Sequence, residues 1–127
     1  SVHTRIAALR PLKKGEGAGY NHAWAAPCDT TVAILSIGYS DGLLRSSSFQ
    51  GAEVLIHGQR RPIVGAMCMD QCLVDLGSLP AAVGDEVVVI GKQGMGQISA
   101  LEVAEKTGTI VPETLSMLRG RMPRILV

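Results

Sequence analysis

The sequence predicts a mainly β fold: a small β-barrel-like domain with one or two short helices near its C-terminus. Three observations predict it. The chain is 46% hydrophobic but only 3% aromatic, so its core must be built from Val, Ile, Leu, Ala and Met, among which the β-branched residues favour strands. Apolar runs of strand length recur at short, regular spacing with turn residues between them, the pattern of a barrel or sandwich. Only near the end does the apolar period lengthen towards that of a helix. At 127 residues the chain fits one domain, and a domain of this size buries roughly two-thirds of its unfolded surface.

Taken in order, "TRIAALR" and "TTVAILSIG" read as strands joined by the exposed, glycine- and lysine-rich connection "KKGEGAGYN". "AEVLIHGQRRPIVGAM" is two β-runs around a Gly58-Gln59 turn, a hairpin. "QCLVDL" and "GDEVVVIG" follow, giving five or six strands by residue 90. In "SALEVAEKTG", Ser99 stands at an N-cap with Glu102 three residues on and Gly108 as the stop, which predicts a short helix. A second begins at Pro112, a first-turn proline, and ends by Gly120. "RILV" is predicted to close as a final strand. No internal repeat, linker or low-complexity segment divides the chain.

Twelve Lys and Arg against eleven Asp and Glu leave a formal charge of +1, which gives no electrostatic footprint for nucleic acid or anionic lipid. No stretch approaches the roughly 20 apolar residues needed to span a bilayer. The chain opens "SVHTRIAALR", without methionine and almost at once in a strand pattern, so an upstream partner domain is expected. Cys28, Cys68 and Cys72 make an odd count at low density, which favours a reducing compartment over a disulfide scaffold. The spacing of Cys68 and Cys72, with His57 nearby, is half of a zinc pattern that needs two such clusters, so buried apolar thiols are expected and no metal.

Three loops carry the polar groups capable of chemistry: Gly15 to Asn21, Gly38 to Arg45, and Gly65 to Gln71. None matches a phosphate-binding fingerprint, and "SIGYSDG" lacks the Gly-x-Ser-x-Gly turn of a hydrolase. Tyr20, after three glycines, and Tyr39, 19 residues later, are the only tyrosines. From local chemistry alone Tyr20 packs or forms an interface more readily than it catalyses, since a buried phenol needs only one partner for its hydroxyl. "GAMCMD" is a turn whose backbone N–H groups could face an anion.

Together these motifs change the balance. "LKKGEGAGYNHAW", "VAILSIGYSDGLLR", "RRPIVGAMCMDQCLVDL", "VGDEVVVIG" and "AEKTGTI…PETLSML…RMPRILV" stand in the order and spacing of the C-terminal domain of bacterial alanine racemases, and the resemblance covers nearly the whole chain. It implies that residues 1–127 are the C-terminal β domain of a pyridoxal 5′-phosphate-dependent racemase that interconverts L- and D-alanine for peptidoglycan precursors. In that family an N-terminal (β/α)8 barrel carries the Schiff-base lysine and binds most of the cofactor, and the β domain of one subunit covers the active site of the other in a homodimer. None of Lys13, Lys14, Lys92 and Lys106 matches that lysine, so this fragment is expected to be inactive alone. This domain is expected in the cytoplasm, either in a cytoplasmic parent or as the cytoplasmic part of a membrane-anchored one, with no direct membrane contact of its own.

Carried over residue by residue, the resemblance makes Tyr20 the acid–base catalyst on the face opposite the barrel lysine. A phenol titrates near 10, so a tyrosinate base needs a nearby cation or hydrogen-bond donor. Met69 would offer its backbone N–H to the substrate carboxylate, with Cys68 and Asp70 framing the turn. Tyr39, Arg45, Ile110 and Pro112 match the access corridor to the small amino-acid substrate. For Asp41 a turn-capping carboxylate is expected.

One departure from the family bears on substrate. Where alanine racemases usually carry an Asn-Tyr pair after "GTI", this chain has Val111 and Pro112, which leaves more room and removes a hydroxyl. Family members linked to vancomycin resistance, membrane-anchored and acting on serine as well as alanine, also depart from tyrosine there, so serine is an expected second substrate. Two other readings remain. Pyridoxal-phosphate decarboxylases also pair a barrel with a β domain, although "GYSDG" and "AMCMD" favour the racemase. A non-enzymatic β-barrel interaction module would lack the upstream barrel.

Overall fold

A computed structural model describes residues 1–127 apart from the side chain of Tyr20. Among the described residues the strands are β1 (Val2–Leu12), β2 (Gly17–Ala18), β3 (Trp24–Ala25), β4 (Thr30–Leu35), β5 (Glu53–Ile56), β6 (Gln59–Val64), β7 (Cys72–Gly77), β8 (Glu86–Gln93) and β9 (Gly96–Ile98); helices α1 (Ala100–Lys106) and α2 (Val111–Met117) follow. The long strands pair in the order β1-β4-β7-β6-β5-β8, and β8 pairs back onto β1. All of these pairings are antiparallel, so six strands close a ring and the barrel-like fold predicted from the sequence is the one observed.

Closure depends on β1 serving two neighbours. Val2 to Arg5 pair with β8 and Ile6 to Leu12 with β4. A register shift between Ile6 and Ala8 bends the strand where it changes partner, as bulges do at barrel corners. Period-two patterning fills the interior: in β7, Cys72, Val74 and Leu76 are buried while Leu73, Asp75 and Gly77 are less so. In β8 the run Val87 to Ile90 is buried throughout. Val87 and Val89 join the main core, whereas Val88 packs outside it with Leu55 and Ile98, against which Val103 of α1 also lies.

The helices begin as their sequence dictates. Ser99 Oγ accepts from the Glu102 N–H at 3.0 Å, and Pro112 lies in the first turn of α2. Elsewhere the structure corrects the sequence. The β5–β6 turn is His57-Gly58, one residue earlier than predicted, with φ of 52° and 75°, the two left-handed residues of a type I′ turn. "RILV" forms no strand: Ile125, Leu126 and Val127 are exposed. The β1–β8 pairing occupies the edge that a closing strand would need. Cys72 is buried as expected, but Cys28 and Cys68 are exposed because both fall in loops. The short pairs β2–β3 and β8–β9 were too brief to show a period. No described helix is long and apolar enough to cross a membrane.

Candidate functional site

The three loops singled out in the sequence meet at one end of the ring. Gly19 packs on the start of the third loop, where a carbon added to it would lie 3.3 Å from the Ala66 N. The second loop docks on the same segment from another side: the Tyr39 N–H donates to the Cys68 carbonyl at 3.2 Å, and the Ser40 N–H to the Met69 carbonyl at 2.8 Å. Ser40 Oγ adds a bond to the Met69 carbonyl at 2.6 Å. Sequence positions far apart therefore share a continuous set of backbone contacts.

The turn from Cys68 to Gln71 is closed by the Cys68 N–H donating to the Gln71 carbonyl at 2.9 Å. Its outward carbonyls are engaged one after another: Cys68 and Met69 by Tyr39 and Ser40, and Asp70 by Arg121 Nη2 at 3.0 Å. The N–H groups of Met69 and Asp70 have no partner among the described residues. Every peptide here is trans, and a trans peptide directs its N–H opposite to its C=O. The Met69 and Asp70 N–H groups thus face away from the Tyr39 turn as two adjacent, uncommitted donors. A carboxylate is the acceptor such a pair suits.

Asp41 supports this arrangement from below. Its side chain is 2% exposed, and Oδ2 accepts from the Gly38 N–H at 3.0 Å, which is the turn-capping role expected of it. The other oxygen accepts from Arg121 Nε at 3.2 Å, and this carboxylate raises the Arg121 pKa above its ordinary range. Gly42 has φ 116° and lies so close to the Met117 carbonyl and Leu118 that only glycine fits. The end of α2 is thereby seated against the Tyr39 turn.

The remaining candidates are placed less centrally. Met69 and Tyr39 are exposed, as are Ile110 and Leu115. Ile110 caps α2 and Pro112 follows in its first turn, also exposed. Arg45 opens a 3-10 segment, Arg45–Phe49; its guanidinium has no hydrogen bond or ion pair among the described residues, and no bond links it to the Met69 turn. The side chain of Tyr20 lies outside the described residues; the two residues after it, Asn21 and His22, have φ of 59° and 48°, consecutive left-handed positions that are costly for His.

Cys72, four residues beyond Cys68, is buried, and that burial pushes its thiol up to about 12, with Cys68 adding to the effect. It is an inert core thiol. No group of three or more His, Cys, Asp and Glu side chains converges among the described residues. Ser40 and Arg121 were not picked out from the sequence. The available signal was Asp41, since a carboxylate in a turn this tight needs a partner once buried.

Comparison with known proteins agrees with this geometry. The family model described as alanine racemase, C-terminal domain, matches residues 1–126. The alanine racemase of Mycobacterium ulcerans is 46% identical over 127 residues, an alignment covering 98% of this chain and 32% of that protein. Among solved structures, the alanine racemase of Bacillus anthracis with bound L-Ala-P superposes with a TM-score of 0.91 at 42% identity, covering 98% of this chain and 32% of the other. That of Bartonella henselae with covalently bound pyridoxal phosphate gives 0.89 at 31% identity, covering 98% and 34%. The chain thus spans about a third of the length of the relatives it matches.

Proposed function

The chain belongs to the alanine racemase C-terminal domain family, and from that premise we propose that it forms the substrate-facing β domain of a pyridoxal-phosphate-dependent amino-acid racemase. The rest of the parent would supply the barrel, and a homodimer would set this domain against its partner's active site. The observation that carries the reading is the pair of uncommitted N–H groups at Met69 and Asp70, aimed away from a turn that pins each of their carbonyl neighbours.

The cofactor itself does not fit this chain. Lys13, Lys14 and Lys92 are exposed, and Lys106 is committed to the Gly51 carbonyl at 3.0 Å and to Glu53 and Glu102. Lys106 and Lys13 each border a surface hollow, but Lys106 is held by its carboxylates and Lys13 lies exposed beside Asp29, so the cofactor lysine is assigned to the barrel. Bound there, pyridoxal phosphate would supply the electron sink that makes the substrate α-proton acidic.

This chain's residues would act at the substrate. The Met69 N–H would hold the carboxylate within the turn framed by Cys68 and Asp70, fixing the orientation of the α-carbon. Inversion needs a proton removed on one face and returned on the other; the phenol of Tyr20 would serve one face and the barrel lysine the other. Tyr39, Arg45, Ile110 and Pro112 would line the approach, and the space left by Pro112 supports serine beside alanine as a substrate for peptidoglycan precursors. The exposed apolar groups at Tyr39, Met69, Ile110 and Leu115 support burial against the barrel, and a cytoplasmic parent accords with these partners.

The test is racemisation of L-alanine and L-serine by the full-length parent, wild type beside Tyr20→Phe, followed by circular dichroism at the substrate band. Tyr20→Phe is expected to cut the rate by at least about 10²-fold, the lower end for losing a general acid–base, with cofactor absorbance intact. Undiminished activity would return Tyr20 to a packing role, and release of carbon dioxide would identify a decarboxylase.

A further inference from the structure

Asp41 is the only charged side chain that is buried among the described residues, and its cationic partner comes from the segment after α2. Arg121 donates from Nε to Asp41 Oδ1 at 3.2 Å, and from Nη2 to the carbonyls of Asp70 at 3.0 Å and Ser36 at 3.3 Å. The Arg119 N–H returns to the Asp41 carbonyl at 3.2 Å, which keeps this segment laid against the Tyr39 turn. One guanidinium therefore joins the buried carboxylate of the second loop to the backbone of the third.

We propose that Arg121 is a positioning residue for the substrate carboxylate, holding the Met69–Asp70 turn in its receiving geometry by bridging Asp41 to the Asp70 carbonyl. This rests on the racemase reading above. Tyr39 and Ser40 fix the peptides on either side of Met69, but the peptide after Asp70 has Arg121 as its only engaged partner on the carbonyl side. Without it that peptide, which carries the Gln71 N–H, can rotate and loosen the Cys68–Gln71 turn that presents the Met69 and Asp70 N–H groups. A guanidinium presents several donors in a rigid fork and can satisfy a carboxylate and two carbonyls at once. A lysine ammonium would retain the charge beside Asp41 but lose the fork.

The experiment uses the full-length parent with Arg121→Lys, which keeps Asp41 neutralised should Arg121→Gln fail to fold, alongside Tyr20→Phe. Two quantities are read: the split between KM and kcat for L-alanine, and hydrogen exchange at the Tyr39, Ser40 and Cys68 amides, which are bonded within this turn. The expected result for Arg121→Lys is a rise of about tenfold in KM, the scale of one misplaced hydrogen bond to a charged group. The kcat should stay within about threefold, and the three amides should exchange faster while those of β4 and β7 are unchanged. If Tyr20→Phe is inactive but Arg121→Lys matches wild type in KM and exchange, the role of Arg121 is overturned. If the wild-type parent does not racemise L-alanine, the racemase reading falls and takes this proposal with it.

Discussion

Gly38 and Met69 approach so closely that a carbon added to Gly38 would lie 2.6 Å from the Met69 carbonyl carbon, and closer still to the Cys68 carbonyl oxygen. The backbone at Gly38 is extended, with φ of −151°, so its need for glycine comes from contact with the neighbouring turn and not from an unusual dihedral angle. Gly38→Ala should therefore push two backbone segments apart, since neither is a flexible side-chain end. The expected loss is about 1–3 kcal/mol, as for overpacking elsewhere in protein interiors. Urea denaturation of the domain measures it; a midpoint equal to wild type would show that the loops separate at no cost.

The ring itself was legible because its residues alternate or run in β-branched blocks, as in "CLVDLG" and "EVVVI". The caps were legible as well, since Ser99 and Pro112 act on their own helices. What could not be read was which loops meet. The bond from Ser40 to the Met69 carbonyl spans 29 residues and that from Arg121 to Asp41 spans 80; neither leaves a local pattern. The tail misled for a related reason. "RILV" has strand composition, but a strand requires a vacant edge, and pairing between β1 and β8 had removed it.

A charged network fastens α1 to the β5–β6 hairpin, and it predicts a pH dependence. Arg60 Nη2 donates to Glu102 Oε2 at 2.8 Å, and Lys106 Nζ lies 3.2 Å from Glu102 Oε1. The bond from Arg60 is the main cause holding the Glu102 carboxyl at about 2, below its ordinary 4.5. A carboxyl lowered on folding contributes stability that is fully present above its unfolded value and lost as pH falls through the folded one. Glu102→Gln should thus cost on the order of 1 kcal/mol at neutral pH, given the partial exposure of the pair. The gap from wild type should close between about pH 4.5 and 2. Denaturation curves across that range check it; a gap independent of pH would show that Glu102 acts through packing alone.

Pro112 offers the most direct test of what the site admits. It occupies the first turn of α2, where backbone N–H groups have no intrahelical partner, so exchanging it for another residue costs the helix little. The far end of the same helix is fixed: a carbon at Gly42 would lie 2.7 Å from Leu118 Cα. At about 1.5 Å per residue, Pro112 stands roughly 8 Å along the axis from Met117, so the fixed end sets where a side chain at position 112 is carried. Pro112→Tyr in the full-length parent would place a phenol where the resemblance to alanine racemases implies one. A pocket change of this size is worth about 1–3 kcal/mol of discrimination. The ratio of kcat/KM for L-serine to that for L-alanine should accordingly fall by roughly 10- to 100-fold, chiefly through serine. Paired kinetics of wild type and variant on the two amino acids would measure it. An unchanged ratio would mean that Pro112 lies outside the substrate's path and that the preference is set by the barrel.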